Sequence, residues 1–277
     1  MKRVAHISDL HFGTEQPEVA GKLVVTLESL LPDLLVVSGD LTQRARPEQF
    51  QAAAEYLGKF DCPQLVVPGN HDVPLYDLFS RFGSPLKRYC QYISADLDPW
   101  WHQDDLAVLG LNTARSLTWK DGRISEEQIA LIGSRFRSVP RDCFKLLVTH
   151  HPFVPQPGHE EDRDDLVGRA ELAMPVIDEA GVDMLLAGHL HHGYSGDVRL
   201  YYPAMKRSII VAQAGTAISN RIRNQANSFN LLLLDKQRIE IQVWLWDGTG
   251  VDEGFVKGQT IEYLLKGQEW RLSGNSV

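Results

Sequence analysis

The chain has 277 residues, of which 43% are hydrophobic, and its formal net charge at pH 7 is −8. This length and apolar content are sufficient for an α/β domain with a large buried core. The negative charge disfavours nonspecific binding to a nucleic-acid backbone, which needs a basic surface, so no nucleic-acid polymer is expected as a partner. No stretch approaches the ~18 consecutive apolar residues of a membrane span, and none is predicted.

Two features indicate the compartment. The three cysteines, Cys62, Cys90 and Cys143, are far apart, odd in number and not in a metal-binding spacing. We interpret them as reduced thiols, which are typical of a reducing compartment. Residues 1–6 run directly into a strand pattern, without an apolar signal region or a cleavage site. Together these observations predict a cytoplasmic protein.

The first part of the chain alternates short apolar strands with helices. Strands are predicted at residues 4–8, 34–38 and 64–67. Helices are predicted at residues 18–31 and 47–59, and Pro47 suits the first position of the second one. Each strand is followed by a polar turn. Strand, turn and helix in repeated order are typical of a sheet with crossover helices.

The middle of the chain begins with a predicted helical segment, residues 74–93. Its apolar side would carry Phe79, Phe82, Leu86, Tyr89 and Ile93. Three strands follow, predicted at residues 106–111, 145–149 and 182–187. Helices are predicted at residues 125–137, with Ser125 as the N-cap, and at residues 171–180 despite an internal proline.

The last third of the chain has a different pattern. Strands are predicted at residues 208–212, 229–234 and 239–246. The polar residues Asp235-Lys236-Gln237 lie between the last two, which indicates an antiparallel hairpin. The tail from Gly254 is weakly patterned and is expected to pack on an edge as a strand or a helix. Since there is no linker, repeat or low-complexity segment, we predict one domain over residues 1–277.

Residues able to bind metal or transfer protons follow five of the predicted strands. They are Asp9 and His11, Asp40, Asn70 with His71 and Asp72, His150, and His189 with His191. Ligands of an open α/β sheet bind outside the carboxyl ends of its strands, so parallel strands would bring these turns together. The donors are nitrogen and oxygen atoms without thiolates, which suits Mn, Fe or Zn. Seven ligands are too many for one tetrahedral site but fit two ions that share a carboxylate.

This series resembles the motifs of the calcineurin-like metallophosphoesterase family. The matching blocks are Asp9-x-His11, Gly39-Asp40, Gly69-Asn70-His71-Asp72, His150 and Gly188-His189-x-His191, in this order within residues 1–195. The resemblance implies a four-layer α/β/β/α sandwich with two central mixed sheets. In that fold, residues 205–250 are expected to supply strands of the second sheet.

The resemblance also implies a role for each motif residue. The first metal ion would be held by Asp9, His11, Asp40 and His191. The second would be held by Asp40 as a bridge, Asn70, His150 and His189. His71 would protonate the leaving oxygen or stabilise the transition state, and Asp72 would orient it. The implied reaction is attack of a metal-activated hydroxide on phosphorus, with two Mn, Fe or Zn ions as cofactors.

Within the family, the Gly-Asn-His-Asp block followed by Val73-Pro74 is most similar to bacterial class III cyclic nucleotide and glycerophosphodiester phosphodiesterases. We therefore expect a phosphodiesterase for small diesters, with 3′,5′-cyclic nucleotides as candidate substrates. The alternatives are a phosphomonoesterase, a pyrophosphohydrolase of nucleotide-linked or lipid substrates, and a binding protein with a degenerate site. Intact ligand positions argue against the last alternative. The sequence leaves open whether the chain forms a homo-oligomer.

Several neighbours of the motifs have two interpretations. His151 adjoins His150 and is interpreted as a pocket residue rather than the ligand. Arg221 and Arg223 could reach a substrate phosphate but are interpreted as surface charges. Residues 155–165 are interpreted as an exposed loop, with a lid over the site as the alternative. Structural roles are assigned to four more residues: His6, His192, Trp100 and Trp101.

Overall fold

The structure is a computed structural model that describes residues 1–116, 121–158, 165–222, 225–249 and 253–273. The strands are β1 Lys2–Ile7, β2 Leu34–Val37, β3 Gln64–Val66, β4 Trp100–Gln103, β5 Leu106–Gly110, β6 Phe144–Val148, β7 Met184–Ala187, β8 Tyr194–Asp197, β9 Ile210–Gln213, β10 Ser228–Asp235, β11 Arg238–Asp247, β12 Gly254–Lys266 and β13 Glu269–Leu272. The helices are α1 Pro17–Leu30, α2 Pro47–Leu57, α3 Leu78–Gly83, α4 Lys87–Tyr92, α5 Glu126–Arg137 and α6 Ala170–Ala180.

The strands form two mixed sheets. The seven-stranded sheet has the order β13-β12-β11-β10-β1-β2-β3, and the six-stranded sheet has the order β4-β5-β6-β7-β9-β8. β1, β2 and β3 are parallel to one another, as are β5, β6, β7 and β9. Parallel strands that run to the same edge bring the turns after them together, which positions the predicted site.

The two sheets lie face to face between two layers of helices. On β1, Ala5 and Ile7 pack with residues of α1 and α2, whereas Val4 belongs to a core shared with the six-stranded sheet. On β6, Leu147 packs with residues of α5 and α6, whereas Leu146 faces the shared core. Alternate side chains of a strand point to opposite faces, so strands covered on both faces are apolar throughout. The predicted four-layer α/β/β/α sandwich is confirmed.

The helices begin and end near the predicted residues for identifiable reasons. In α1, Val19, Leu23 and Leu27 are buried at helical spacing. α1 ends at Leu30, and Leu31 caps it with a left-handed backbone ahead of Pro32. The predicted N-cap of α5 is confirmed, since the Ser125 hydroxyl accepts a hydrogen bond from the Gln128 backbone N–H at 3.2 Å. Within the described part of the chain, no helix has both the length and the apolar character needed to cross a membrane.

The expected assignment of residues 205–250 to the second sheet is wrong for most of that segment. β9 lies in the six-stranded sheet, but β10 and β11 belong to the seven-stranded sheet. The predicted hairpin itself is present, and its first strand pairs antiparallel with β1, with Lys2 opposite Leu234. β12 and β13 then extend this sheet to its edge. The hairpin completes the pairing of β1, whose other side is occupied by β2.

The segment after the third strand is also less regular than predicted. It forms the two short helices α3 and α4 instead of one helix over residues 74–93. Leu86 and Tyr89 are buried, but Phe79 is 95% exposed and Phe82 is 60% exposed. Residues 84–86 interrupt the helical spacing between the two groups, so the five residues do not share one buried side.

Two further interpretations concern the pair Trp100 and Trp101 and the loop over residues 155–165. The ring of Trp100 packs edge to face on Phe136 at a centroid distance of 5.5 Å, and Trp101 packs on the core shared by the sheets, as expected for core aromatics. Of the predicted loop or lid, residues 159–164 lie outside the described residues. That alternative therefore stays open.

Candidate metal centre

The turns after the predicted strands are tied together by backbone hydrogen bonds. The N–H of Asp9 donates to the Gly39 carbonyl at 3.1 Å, and the N–H of His11 donates to the Asp40 carbonyl at 2.9 Å. The two sheets are joined by a backbone-to-side-chain hydrogen bond, in which the His189 backbone N–H donates to the carboxylate oxygen Asp9 Oδ2 at 3.1 Å. The carboxyl ends of strands from both sheets thus form one site.

Five of the seven predicted ligands have an unusual backbone conformation. The φ angles of Asp9, His11, Asp40, His189 and His191 are 55°, 47°, 52°, 72° and 56°. Positive φ is uncommon outside glycine and costs of order 1–3 kcal/mol per residue. Such strain persists only where the surrounding structure holds it, and it is typical of functional sites. Here it turns five side chains inward.

The first group of ligand atoms lies at the end of β1. Asp9, His11 and His191 have ligand atoms that all lie within 4.8 Å of one another. His11 Nε2 is 3.6 Å from Asp9 Oδ1 and 3.6 Å from Asp40 Oδ2. His191 Nε2 is 3.7 Å from the same Asp9 oxygen. These side chains are buried, so they converge on a common point away from bulk water.

A second group adjoins the first through Asp40. Asp40 Oδ1 is 3.4 Å from His150 Nε2, which in turn is 3.1 Å from Asn70 Oδ1. The His189 ring lies edge to face on His150 at a centroid distance of 5.1 Å. The two carboxylate oxygens of Asp40 therefore face different groups, Oδ2 the first and Oδ1 the second.

Two glycines of the motifs are required by close packing around these ligands. Gly39 has a φ of 97°, and a Cβ atom there would lie 2.5 Å from the His150 ring nitrogen Nδ1. A Cβ atom at Gly69 would collide with Asp40. Any larger residue at either position would displace a predicted ligand, which accounts for the Gly-Asp and Gly-Asn pairs of the motifs.

The residues present fit a bound cation. Asp9 Oδ1, Asp40 Oδ2 and His11 Nε2 are buried without a hydrogen-bond partner. A buried carboxylate oxygen without a partner is costly, and a cation among these atoms would satisfy all three. The donor set of carboxylate, amide and imidazole groups suits a first-row transition metal.

A hydrogen bond from Nδ1 of His150 leaves its other ring nitrogen, Nε2, facing the site. Its Nδ1 lies 2.7 Å from the Ser38 carbonyl, which can only accept, so Nδ1 carries the proton. In a neutral ring, Nε2 then faces Asp40 and Asn70 as a lone pair. Burial lowers the pKa of His150, but the carboxylates of Asp40 and Asp9 outweigh it and raise that pKa to about 9. A cation would take the place of this proton.

The pKa values of His191 and Asp9 are shifted in the opposite direction to that of His150. Burial lowers the pKa of His191 to about 4, so that its imidazole is neutral and able to ligate at neutral pH. Burial opposes ionisation of Asp9, yet His191 and His11 hold the pKa of Asp9 below its usual value. The site therefore has ionised carboxylates beside a neutral imidazole, which is the state that metal ligation requires.

His71 and Asp72 lie beside the ligands in a 3₁₀ turn, Asn70–Asp72. The backbone N–H of His71 donates to Asp40 Oδ1 at 2.8 Å. The expectation that Asp72 orients the His71 ring is wrong. The buried Asp72 carboxylate accepts hydrogen bonds from Leu41 N–H, Gly69 N–H, and both the N–H and the hydroxyl of Thr42. Asp72 holds the turn instead.

The partners of the His71 ring were not predicted from the sequence. Nδ1 lies 3.0 Å from the Gln43 backbone carbonyl, and Nε2 lies 2.9 Å from Arg221 Nη1. The interpretation of Arg221 as a surface charge is therefore corrected. Arg223 lies outside the described residues. Gln43 follows the Gly39-Asp40 motif by three residues, but no local pattern distinguishes it as a site residue.

Three further histidines, His151, His6 and His192, lie near the predicted ligands and have different partners. His151 lies in a group with His150 and His189 whose ligand atoms are within 4.8 Å of one another, and its Nδ1 is 2.7 Å from the Thr113 hydroxyl. His6 is a buried core residue, as expected, with Nε2 2.9 Å from the Ser38 hydroxyl. His192 Nδ1 is 3.1 Å from the Gly193 carbonyl and Nε2 is 2.8 Å from Gln225, consistent with a loop cap.

Two curated bacterial proteins are similar to this chain over part of its length. The glycerophosphodiester phosphodiesterase GpdQ of Enterobacter lignolyticus is 40% identical over 165 residues, which cover 55% of this chain and 57% of that protein. The 3′,5′-cyclic adenosine monophosphate phosphodiesterase CpdA of Escherichia coli is 27% identical over 205 residues, covering 68% of this chain and 69% of that one. The match to GpdQ thus spans little more than half of its length.

A solved structure confirms the fold independently. A dimetal phosphatase from Danio rerio superimposes with a TM-score of 0.65 at 14% identity, and the match covers 94% of this chain and 98% of that one. Residues 2–193, which contain every predicted motif, match the family described as calcineurin-like phosphoesterase. The chain therefore belongs to the calcineurin-like phosphoesterase family.

Proposed function

We propose that the protein is a metal-dependent phosphodiesterase that hydrolyses small phosphodiesters at a centre of two metal ions. The observation that favours two ions is the position of Asp40. Its Oδ2 lies 3.6 Å from His11 Nε2, and its Oδ1 lies 3.4 Å from His150 Nε2. A carboxylate between two ligand groups suits two cations, an arrangement known to serve displacement at phosphorus.

The proposed ligands are those that converge at the strand ends. The first ion is assigned to Asp9, His11, Asp40 and His191, and the second to Asp40, Asn70, His150 and His189. Support for the first comes from the buried atoms Asp9 Oδ1 and His11 Nε2, which have no hydrogen-bond partner. Their nitrogen and oxygen donors fit Mn, Fe or Zn.

The chain's own residues orient the ligands and stabilise the reacting phosphoryl group. Cations held at such a site would polarise phosphoryl oxygens and acidify a water molecule. The His71 backbone N–H holds the Asp40 carboxylate by donating to its Oδ1 at 2.8 Å. Its ring accepts a hydrogen bond from Arg221 at Nε2, so protonating a leaving oxygen would require this nitrogen to gain a proton. We therefore favour transition-state stabilisation over proton donation for His71, exerted through the Arg221 guanidinium that its ring holds, while Asp72 holds its turn.

The substrate class is proposed from the relatives. One is named a glycerophosphodiester phosphodiesterase and another a cyclic adenosine monophosphate phosphodiesterase, and both names denote diester hydrolysis. Small diesters, including 3′,5′-cyclic nucleotides, are therefore the first candidates. A phosphomonoesterase or a nucleotide or lipid pyrophosphohydrolase is the second candidate, because the same pair of cations would serve either reaction.

Metal removal and a pair of model substrates test this proposal. Protein stripped with a chelator is expected to lose hydrolysis of bis(p-nitrophenyl) phosphate and to regain it with Mn²⁺, binding two ions per chain. Asp40→Asn is expected to lower both metal content and turnover, whereas Asp247→Asn, a surface carboxylate, should change neither. Faster hydrolysis of p-nitrophenyl phosphate would contradict the diester assignment. Protein that binds no metal and hydrolyses neither ester would instead indicate a degenerate binding protein.

We also propose a setting for this activity. The cysteines Cys62, Cys90 and Cys143 are all free thiols, which suits the cytoplasm. The net charge of −8 supports a small anionic substrate bound through cations rather than a nucleic-acid polymer. We propose that the chain acts as one domain, supported by the core that both sheets share.

A further inference from the structure

The side chain of Arg221 lies at the rim of the metal centre. It belongs to the loop between β9 and β10, and its Nη1 is 2.9 Å from His71 Nε2 and 3.3 Å from Gln43 Oε1. Its backbone carbonyl accepts a hydrogen bond from the Thr216 hydroxyl at 3.0 Å, which fixes the loop. His71 therefore lies between the two groups: its ring contacts the Arg221 guanidinium, and its backbone N–H contacts the Asp40 carboxylate.

The directions of these hydrogen bonds follow from the chemistry of the groups. A guanidinium can only donate, so His71 Nε2 accepts from Arg221. The Gln43 backbone carbonyl can only accept, so His71 Nδ1, at 3.0 Å, carries the proton. Both nitrogens of His71 are thus used to hold neighbours, and Gln43 contacts both members of the pair. His71 and Gln43 position the guanidinium.

We propose that Arg221 binds a phosphoryl oxygen of the substrate, and that His71 and Gln43 are positioning residues for it. This inference rests on the proposed function, since it assigns a contact within the same site. A guanidinium matches phosphate oxygens with paired N–H donors and keeps its charge at any working pH. The carboxylates Asp9, Asp40 and Asp72 make the site negative, and the Arg221 guanidinium supplies a positive charge that belongs to the chain.

A purely structural role makes different predictions for Arg221. As a tie between the loop and the 3₁₀ turn, it would affect stability and metal content, and not the affinity for phosphate at full metal occupancy. As a phosphate ligand, it would affect phosphate affinity in the metal-loaded protein. Phosphate affinity at constant metal content therefore separates the two roles.

The experiment compares wild type with Arg221→Ala and Arg221→Lys, all loaded with Mn²⁺ and checked for metal content and thermal stability. Binding of inorganic phosphate is measured by calorimetry, and its inhibition constant by hydrolysis of bis(p-nitrophenyl) phosphate. We expect Arg221→Ala to weaken phosphate binding and kcat/KM by roughly 10- to 100-fold, as for loss of a charge-assisted hydrogen bond. Arg221→Lys should be intermediate because it retains a single charged donor.

Two further measurements complete the test. Added guanidinium chloride at low concentration is expected to restore part of the activity of Arg221→Ala. Arg199→Ala is the matched control, because Arg199 pairs with Asp197 and Glu269 away from the metal centre and should leave phosphate binding unchanged.

The possible outcomes are distinct. Unchanged phosphate affinity in Arg221→Ala at full metal content would overturn the proposal. If Arg221→Ala does not fold, an Arg221→Lys variant with wild-type affinity and kcat/KM would also overturn it. If wild type hydrolyses no ester yet binds phosphate in an Arg221-dependent way, the proposed function fails while this inference stands.

Discussion

The imidazole of His191 is hydrogen-bonded to the hydroxyl of Thr216, with 2.7 Å between Nδ1 and Oγ1. That hydroxyl donates its only proton to the Arg221 backbone carbonyl at 3.0 Å, so it accepts from His191 Nδ1–H. Nε2 is then the unprotonated nitrogen, and it faces Asp9 Oδ1 at 3.7 Å. Thr216 thereby sets the tautomer of a proposed metal ligand and anchors the loop that carries Arg221.

Thr216→Val is expected to weaken Mn²⁺ binding by about 10- to 100-fold, because loss of a partner that orients a ligating histidine has effects of this size. The valine fills the same volume but cannot accept from Nδ1–H. Thr216→Ser keeps the hydroxyl and is expected to bind Mn²⁺ nearly as tightly as wild type. A competition titration with a chromophoric chelator measures all three affinities. Equal affinities for the valine and serine variants would contradict the role given to Thr216.

Asp72→Asn is expected to lower the free energy of unfolding by about 3 kcal/mol, since buried donors that lose their acceptor carry a penalty of this order. The fully buried carboxylate accepts four hydrogen bonds, two of them from Thr42. In asparagine, the NH₂ group would face two of these N–H or O–H donors and could not accept from them. Urea unfolding of the metal-free protein gives the value. Asp247→Asn, at the surface, should change it by less than about 0.5 kcal/mol. A similar small change in Asp72→Asn would exclude the structural role.

His6 is expected to make the stability of the metal-free protein depend on pH. Burial lowers the pKa of this fully buried residue from 6.5 to about 3. Between these values the unfolded chain carries the proton and the folded chain does not. Stability is therefore lost as the pH falls from 6.5 toward 3, by up to about 1.4 kcal/mol per pH unit.

The variant His6→Gln removes this proton and can still reach the Ser38 hydroxyl. Its unfolding free energy, measured in urea at pH 7, 6, 5 and 4, should fall less steeply than that of wild type. His102→Gln, an exposed histidine, should retain the wild-type slope. Parallel slopes for wild type and His6→Gln would show that His6 is not buried in its neutral form.

Much of the fold was predictable because its elements are encoded locally. The parallel strands are covered on both faces, so β2 is apolar at every position and could be recognised without alternation. Ser125 and Pro47 marked helix starts, since an N-cap hydroxyl and a proline at the first position satisfy the geometry of the first turn. The order of the motifs was likewise enough for the family, which the match over residues 2–193 confirms.

The partners of the site residues were less predictable. The family resemblance implied that Asp72 orients the His71 ring, and the structure does not show that contact. Its carboxylate points to the loop after β2 instead. Arg221 is 150 residues from His71 along the chain, and a lone arginine in a polar loop carries no local sign of its partner.

The sequence by itself determined most of the strands and helices, and which strand ends carry candidate metal ligands, because these depend on local spacing and turn chemistry. Only the tertiary structure decided that the hairpin of β10 and β11 joins β1, and that Arg221, Thr216 and Gln43 surround the ligands. Strand pairing and loop contacts depend on which distant surfaces are complementary. That complementarity is a property of the packed chain, and no short segment contains it.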